Sequence, residues 1–523
     1  MSAKKKVQKS WLRRGRIVLA ICSFVMLTML FVALSGTKMF AFMAKAQFVP
    51  ALLAGNFIVV AVVLLVTLLM GRIYCSVVCP LGLFQDLFNW LTKRLGGKKS
   101  ARRFSYSKPK NVLRYSVLAV FALLLIFGVA GIAALVEPYS AFGRMMTDLM
   151  QPAAIGVNNL LASLFGDSFG REPYVAINAL ALSVSIVTFV LIAYLACRSG
   201  RTWCNTVCPV GTLLGCAGKV APLKVRIDES KCIACGLCEK KCKSSCIDSK
   251  NKKIDYSRCV DCFDCLENCS TGAIKFTTAA GVAKAEAKSA EKPAPKADNA
   301  EGGVEDPSRR RFIATALATS VAVPAAWAQK KGDEAVAAMT DKQPAERKVA
   351  VSPFGSLSHK HLNEKCTACH LCVSKCPNDV LRPALGEYGL AGIMQPVMDY
   401  SRGYCDYECT TCMDVCPAGA LKPLSVDEKQ GTQIGIAVFN KELCVVSDNN
   451  HSCGNCASHC PAGAIRMVPD YTAPLPNARG NQRYKLFPQI EEALCIGCGA
   501  CEYHCPAKPF TAIHVEGLEV HKA

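Results

Sequence analysis

Cysteine is the residue type that could do chemistry in this chain, and its spacing indicates which chemistry. The chain holds 32 cysteines in 523 residues. In a short secreted protein that density would read as disulfides. Here most of the cysteines fall in C-x2-C-x2-C-x3-C runs, the ligand pattern of 4Fe–4S cubanes.

The first two runs are Cys232, Cys235, Cys238, Cys242 and Cys259, Cys262, Cys265, Cys269. In the bacterial pattern the fourth cysteine of a run serves the other cluster. The expected ligand sets are therefore Cys232, Cys235, Cys238 with Cys269, and Cys259, Cys262, Cys265 with Cys242. The proline that usually follows the fourth cysteine is replaced by Lys243 and Ser270, and Cys246 competes with Cys242. Four more runs do carry that proline: Cys366, Cys369, Cys372, Cys376; Cys405, Cys409, Cys412, Cys416; Cys444, Cys453, Cys456, Cys460; and Cys495, Cys498, Cys501, Cys505. The same exchange pairs Cys416 with the first trio and Cys376 with the second, then Cys505 with the third and Cys460 with the fourth. About six 4Fe–4S clusters are expected.

Two rival metals are disfavoured by the same spacing. Cys366-Thr-Ala-Cys369-His370 matches a c-type haem attachment motif, but a haem there would break a complete four-cysteine run. His370 is then expected to be an ordinary surface histidine. Zinc sites use two cysteine pairs with a longer gap, unlike these tight triplets.

A second kind of motif occurs twice. Residues 71–82 read GRIYCSVVCPLG and residues 200–211 read GRTWCNTVCPVG. Each follows an apolar stretch, so this part of the chain reads as a duplication. The four thiols Cys75, Cys79, Cys204 and Cys208 could converge as an additional metal site, act as redox thiols, or serve packing. Cys22, Cys197, Cys216 and Cys246 follow no such pattern, and free cysteines are often simply buried.

The elements that must position these residues include apolar stretches near 17–35, 50–70, 117–136 and 174–196. Each is about as long as the ~20 residues a membrane helix needs. Seven Lys/Arg stand in the first 16 residues and nine between 71 and 110, against Lys38 and Lys45 in one intervening loop and Arg144 and Arg171 in the other. The positive-inside rule then places the N-terminus and the 71–110 loop in the cytoplasm. Trp11, Tyr74, Trp90 and Trp203 fall near the cytoplasmic ends of these spans, as an aromatic belt would. Glu137, at the far end of the third span, is either an interface marker or a quinol proton acceptor. The net charge of +21 is explained by these flanks. No basic–aromatic interleaving suggests nucleic acid.

Residues 277–307 are Ala-, Lys-, Glu- and Pro-rich and read as a flexible linker. Residues 308–329 then place Arg309 and Arg310 before Phe312, a mild apolar run and Ala326-Trp327-Ala328. That is the layout of a twin-arginine export signal, with cleavage after Ala328 left open. The expected organisation is multidomain: a four-helix transmembrane domain (1–216), a cytoplasmic two-cluster α+β ferredoxin domain (217–276), the linker (277–307), the signal or anchor helix (308–329) and a periplasmic four-cluster ferredoxin domain (330–523).

In this order of motifs the chain resembles a fusion of two subunits of periplasmic nitrate reductase systems. Residues 1 to about 276 are similar to the membrane ferredoxin (NapH type), and residues from about 308 to 523 to the periplasmic ferredoxin (NapG type). The resemblance implies a bacterial inner-membrane protein that takes electrons from the quinone pool and passes them to a periplasmic cytochrome or reductase such as nitrate reductase. It also implies use of the twin-arginine export machinery. Related membrane ferredoxins occur in nitrous-oxide reduction, methylamine oxidation and copper-oxidase maturation, so the acceptor stays open. The rival reading is a membrane redox or maturation factor, a metal or thiol reductase serving a periplasmic metalloenzyme. A difficulty accompanies the first reading. Two cytoplasmic and four periplasmic clusters would be separated by a hydrocarbon core ~30 Å thick, which requires the quinone pool or the Cys75/Cys79/Cys204/Cys208 site to bridge them.

Overall fold

The structure is a computed structural model, and it describes residues 11–32, 37–95, 104–165, 178–278, 342–448, 452–475 and 483–523. The 308–329 segment with its paired arginines, and nearly all of the 277–307 linker, lie outside the described residues.

The four apolar stretches form helices, but of unequal length. Trp11–Val32 and Ala179–Ser199 have 22 and 21 residues and are long and apolar enough to cross a membrane. Phe57–Met70 and Asn111–Ile126 have 14 and 16 residues, about 21 and 24 Å at 1.5 Å per residue. Two of the expected spans are thus shorter than the composition suggests. The cause is local: Gly55 and Gly128 adopt φ +72°, a left-handed backbone that interrupts a helix at little steric cost. Asn56 then caps the second helix by accepting from the Val59 N–H, satisfying one of its unpaired donors.

The segment beyond the first helix, expected as a connecting loop, folds back into the structure. Phe48, Val49, Pro50 and Ala51 of the short helix Phe48–Leu53 are buried. The Tyr74 hydroxyl donates to Gln47 Oε1 at 3.0 Å and accepts from the Phe48 N–H at 3.1 Å. The 137–146 segment behaves alike: every residue of the helix Pro138–Met145 is buried. Its Tyr139 and Phe142 pack on Phe31 with ring centroids 5.8 and 6.2 Å apart. On the other side, Phe84 and Phe88 pack on Phe189. The outer faces of the long helices expose Val18, Ile21, Val25, Met29, Ile58, Val62, Leu65, Val187 and Leu191.

Residues 224–277 form a ferredoxin unit. Lys224–Ile227 pairs antiparallel with Ile274–Thr277, and Ile247–Asp248 with Lys253–Ile254. Two short helices, Leu237–Lys241 and Asp264–Asn268, each begin just before the third cysteine of a run. The C-terminal part repeats this plan. Gln433–Phe439 pairs with the last strand, Ile513–Lys522, and Ile465–Leu475 pairs with Arg483–Ile490. Leu381–Pro383 and Pro396–Met398 form the remaining hairpin.

Both cysteine-rich parts dock on the helical part. The 224–277 unit is held through Asp86, which accepts from Arg201 at 2.8 and 2.9 Å and from Lys243 at 2.7 Å. Arg13 reaches Asp264 and Glu267 at 2.7 and 2.8 Å. The missing proline after Cys242 finds its explanation here. The Lys243 ammonium is buried against Asp86 and Asp264, and its carbonyl accepts from the Arg201 N–H at 2.9 Å. The C-terminal part docks on the 128–151 segment: Arg144 donates to the Ala368 carbonyl at 3.2 Å and Gln151 to the Ser374 carbonyl at 3.0 Å.

Candidate metal centres

The cysteine loops are shaped by backbone as well as by ligand count. In four of the six runs the residues on either side of the second cysteine have positive φ: Ala234 and Gly236, Asp261 and Phe263, Ala368 and His370, Gly497 and Gly499. Left-handed residues at these two points wrap the loop around a centre, and non-glycine residues pay a conformational cost to sit there. The two runs with altered spacing, around Cys409 and Cys453, lack the feature among the described residues.

The loops close around cavities. One, partly open to solvent, is lined by Cys366, Cys369, Cys372 and Cys416. A second is lined by Cys444, Cys453, Cys456 and Cys505. These are two of the exchanged sets expected from the sequence. The others appear in the electrostatics. Burial pushes the Cys412 thiol well up, and the neighbouring sulfurs that add to this are Cys405, Cys376 and Cys409. For Cys501 burial is joined by Cys498, Cys495 and Cys460. For Cys265 it is joined by Cys262, Cys259 and Cys242. Cys238 is pushed up to about 11 by burial, with Cys235, Cys232 and Cys269 beside it. Crowding four thiols in a buried place is costly unless a cation holds them as thiolates. Among the described residues no three Cys, His, Asp or Glu side chains close on a single ion. Four sulfurs in each set are what a cubane requires.

Backbone N–H groups point at the sulfurs: Ala368 to Cys366 at 3.4 Å, Ala437 to Cys495 at 3.4 Å and Leu421 to Cys416 at 3.5 Å. Such bonds stabilise thiolates and tune cluster potentials. Cys246, a competitor of Cys242 in the sequence, stands 3.5 Å from it. A hydrogen bond from Cys246 holds the Cys242 thiol down at about 7.

His370 is corrected. It is not a surface residue but 2 % exposed. It pairs with Asp148 at 3.3 Å and with the Met394 carbonyl at 3.1 Å, and so joins the C-terminal part to the helical part. No periodicity signals that contact, because Asp148 lies 222 positions away.

Cys75, Cys79, Cys204 and Cys208 are all buried and converge. Burial pushes Cys79 well up, with Cys75 and Cys204 beside it, and Cys208 likewise, with Cys204, Cys79 and Cys75 beside it. The two repeats embrace reciprocally. Arg72 donates to the Cys204 carbonyl at 3.3 Å, and Arg201 to the Cys75 carbonyl at 2.6 Å. A Cβ on Gly82 would lie 2.4 Å from the Cys75 carbonyl oxygen, and one on Gly211 would lie 2.3 Å from that of Cys204. Those glycines are required for the approach. The repeated Gly-Arg and Pro-x-Gly were legible in the sequence, but not that each arginine serves the other repeat.

One apolar core joins the parts. Buried Cys75, Cys79, Cys208, Tyr139, Phe142, Val260 and Cys369 belong to it, with Cys262 packed against it.

Comparison with known proteins agrees with this geometry. A family described as a 4Fe-4S binding domain matches twice, at residues 52–99 and 179–228. 4Fe-4S dicluster domains match at 365–421, 404–464 and 451–509, and a further 4Fe-4S binding domain at 225–248. The methylamine utilization ferredoxin-type protein MauM of Methylobacillus flagellatus is 30% identical over 174 residues, covering 32% of this chain and 69% of that protein. The chain belongs to this family of ferredoxin-type proteins. The ferredoxin-type protein NapF of Escherichia coli K12 is 25% identical over 176 residues, 33% of this chain and 87% of its own length. The putative electron transport protein YccM of the same organism is 26% identical over 195 residues, 37% of this chain and 48% of that protein. The Nap-type ferredoxin fusion read from the sequence is upheld, and this ferredoxin-type chain carries multiple 4Fe–4S domains.

Proposed function

We propose that this ferredoxin-type chain is a membrane-bound electron wire that oxidises quinol and delivers electrons, one at a time, to a periplasmic cytochrome or reductase such as nitrate reductase. Six cubanes occupy the exchanged ligand sets, two in the 217–276 domain and four in the 330–523 domain. The observation that carries this reading is the single apolar core that holds Cys369 of one ferredoxin part and Cys75, Cys79 and Cys208 of the membrane repeats, with Cys262 of the other ferredoxin part packed against it. It answers the difficulty of the hydrocarbon gap. The folded-back segments 41–53 and 138–150 line the same core, and electrons pass between the two groups within the one chain.

The four-span arrangement is supported by the apolar outer faces of all four helices. The two short ones span with local thinning or flanking anchors. The N-terminal ferredoxin domain is cytoplasmic and the C-terminal one periplasmic, since they dock on opposite ends of the helices. Twin-arginine export of residues 330–523 follows from that placement. The maturation-factor reading is weaker, because a thiol or metal reductase needs accessible sulfurs and the four repeat cysteines are at most 4 % exposed.

The test is anaerobic purification of the full chain in detergent, iron and sulfide analysis, and mixing with a quinol analogue under optical and electron-paramagnetic detection. Reduction of clusters from both groups is expected. Clusters that form fully but take no electrons from any quinol would overturn the quinol reading.

A further inference from the structure

The two segments matched as 4Fe-4S binding domains, 52–99 and 179–228, pose a stoichiometric problem. A cubane needs four thiolates. The first segment has only Cys75 and Cys79, and the second offers only Cys204 and Cys208 in the repeated motif. We propose that the two repeats share one cluster, a seventh 4Fe–4S centre ligated by Cys75, Cys79, Cys204 and Cys208, and that it is the junction between the two groups of clusters. This rests on the wire reading for its role but not for its existence.

Three features of the structure carry it. The first is convergence: each half supplies two sulfurs to the same buried place, and the reciprocal Arg72 and Arg201 bonds close the halves on one another. The second is charge. Arg72 is fully buried. Its bonded partners are the Asn205 side chain, the Ser257 and Cys204 carbonyls and the Cys75 sulfur, at 3.1, 3.0, 3.3 and 3.8 Å. None of these is a carboxylate; the neighbouring Asp261 carboxylate accepts from the Arg72 backbone N–H and not from its guanidinium. A buried guanidinium without an anion bonded to it is strongly unfavourable. Four thiolates on a cubane carry a net negative charge, whereas a disulfide or four neutral thiols do not. The Gln85 amide donating to Cys204 at 3.1 Å and the Gly211 N–H donating to Cys208 at 3.2 Å also point at anionic sulfur. The third is position. Cys369 of the C-terminal ferredoxin domain belongs to the core that holds Cys75, Cys79 and Cys208, and Cys262 of the N-terminal one packs against it.

The chemistry is one-electron transfer. A reduced cubane in one group is oxidised as the shared centre is reduced, and the shared centre then passes that electron to a cubane of the other group. No bond is made or broken.

The full chain, purified anaerobically, should contain about 28 iron atoms rather than about 24, at four per cubane. The double variant Cys75→Ser, Cys204→Ser should lose about four iron atoms and one paramagnetic species, with the other signals kept. Electrons supplied to one group should then no longer reach the other within the turnover time of the unaltered protein. Because such a variant could misfold, the unaltered protein supplies an independent check. Denaturing it in alkylating reagent without reductant, then mapping the peptides, should find all four cysteines alkylated. A disulfide among them, or an iron content of about 24, would overturn the shared centre. A normal iron content with no reduction by quinol would instead remove the quinol reading and leave the seventh centre standing.

Discussion

Asp86 shows how a single carboxylate can hold two domains together. Burial alone would raise its pKa, but Arg201 and Lys243 overcome this and hold it well below the usual carboxylate range. A depressed acid contributes stability that is present above its unfolded value, near 3.9, and lost only as the pH falls toward the folded value. The docking of the 224–277 unit should therefore survive mild acid. Asp86→Asn removes the anion and leaves the buried Arg201 without its carboxylate and Lys243 with Asp264 alone, at a cost of about 3 kcal/mol or more. The expected result is a lower unfolding midpoint in denaturant, with release of the Cys259 and Cys242 loops to protease before the C-terminal part. An unchanged midpoint would mean the network is solvated and worth little. The acidic residue itself was plain in the sequence. Its role was not, because the partners come from three separate segments, and the absence of proline after Cys242 was noted without its cause.

The next scale is the element, where the ligand exchange between adjacent runs is decided. The cavity lined by Cys366, Cys369, Cys372 and Cys416 draws its fourth member from the neighbouring run. Pairs of substitutions distinguish this from self-contained runs. Cys369→Ala with Cys416→Ala should abolish one cluster and about four iron atoms, whereas Cys409→Ala with Cys416→Ala should abolish two. Iron analysis of both proteins checks it, and the reverse ranking would refute the exchange. Here the sequence was legible to the extent that spacing proposes sets whose members the structure places beside one another. The helices were less so. Apolar length suggested four equal spans, but Gly55 and Gly128 shorten two of them. The inward folding of 48–53 and 138–145 depends on tertiary packing that no hydropathy window reads. A Cβ at Gly143 would lie 2.4 Å from the Cys369 carbonyl oxygen and 2.9 Å from the Phe31 ring. Gly143→Val should thus push on the Cys369 loop and loosen the C-terminal part without removing any ligand sulfur. Iron content should stay unchanged while reduction of the four C-terminal clusters by quinol slows at least tenfold. Equal rates would show that this contact lies off the electron path.

For the whole molecule, the two ferredoxin parts grip opposite ends of one helical body. At one end stand Arg13, Arg16, Asp86 and Arg201, facing the 224–277 unit. At the other stand Gly131, Arg144, Asp148 and Gln151, facing residues 368–394. If the helices span a membrane, the two parts must face different compartments, and the arginine- and lysine-rich end must be the cytoplasmic one. The prediction concerns intact cells with permeabilised outer membranes. A protease added outside should cut within the C-terminal part, and a tag at the C-terminus should be removed, while the 224–277 unit persists until the inner membrane is broken. The same gel reports processing after Ala328: one full-length band before protease keeps the chain whole, and two bands divide it. The docking contacts give this measurement a second use. A cleaved chain should still copurify as two fragments in detergent, because Arg144, Gln151 and His370 hold the C-terminal part without the linker. Protection of both ferredoxin parts from external protease would place them on one side and remove the transmembrane wire altogether.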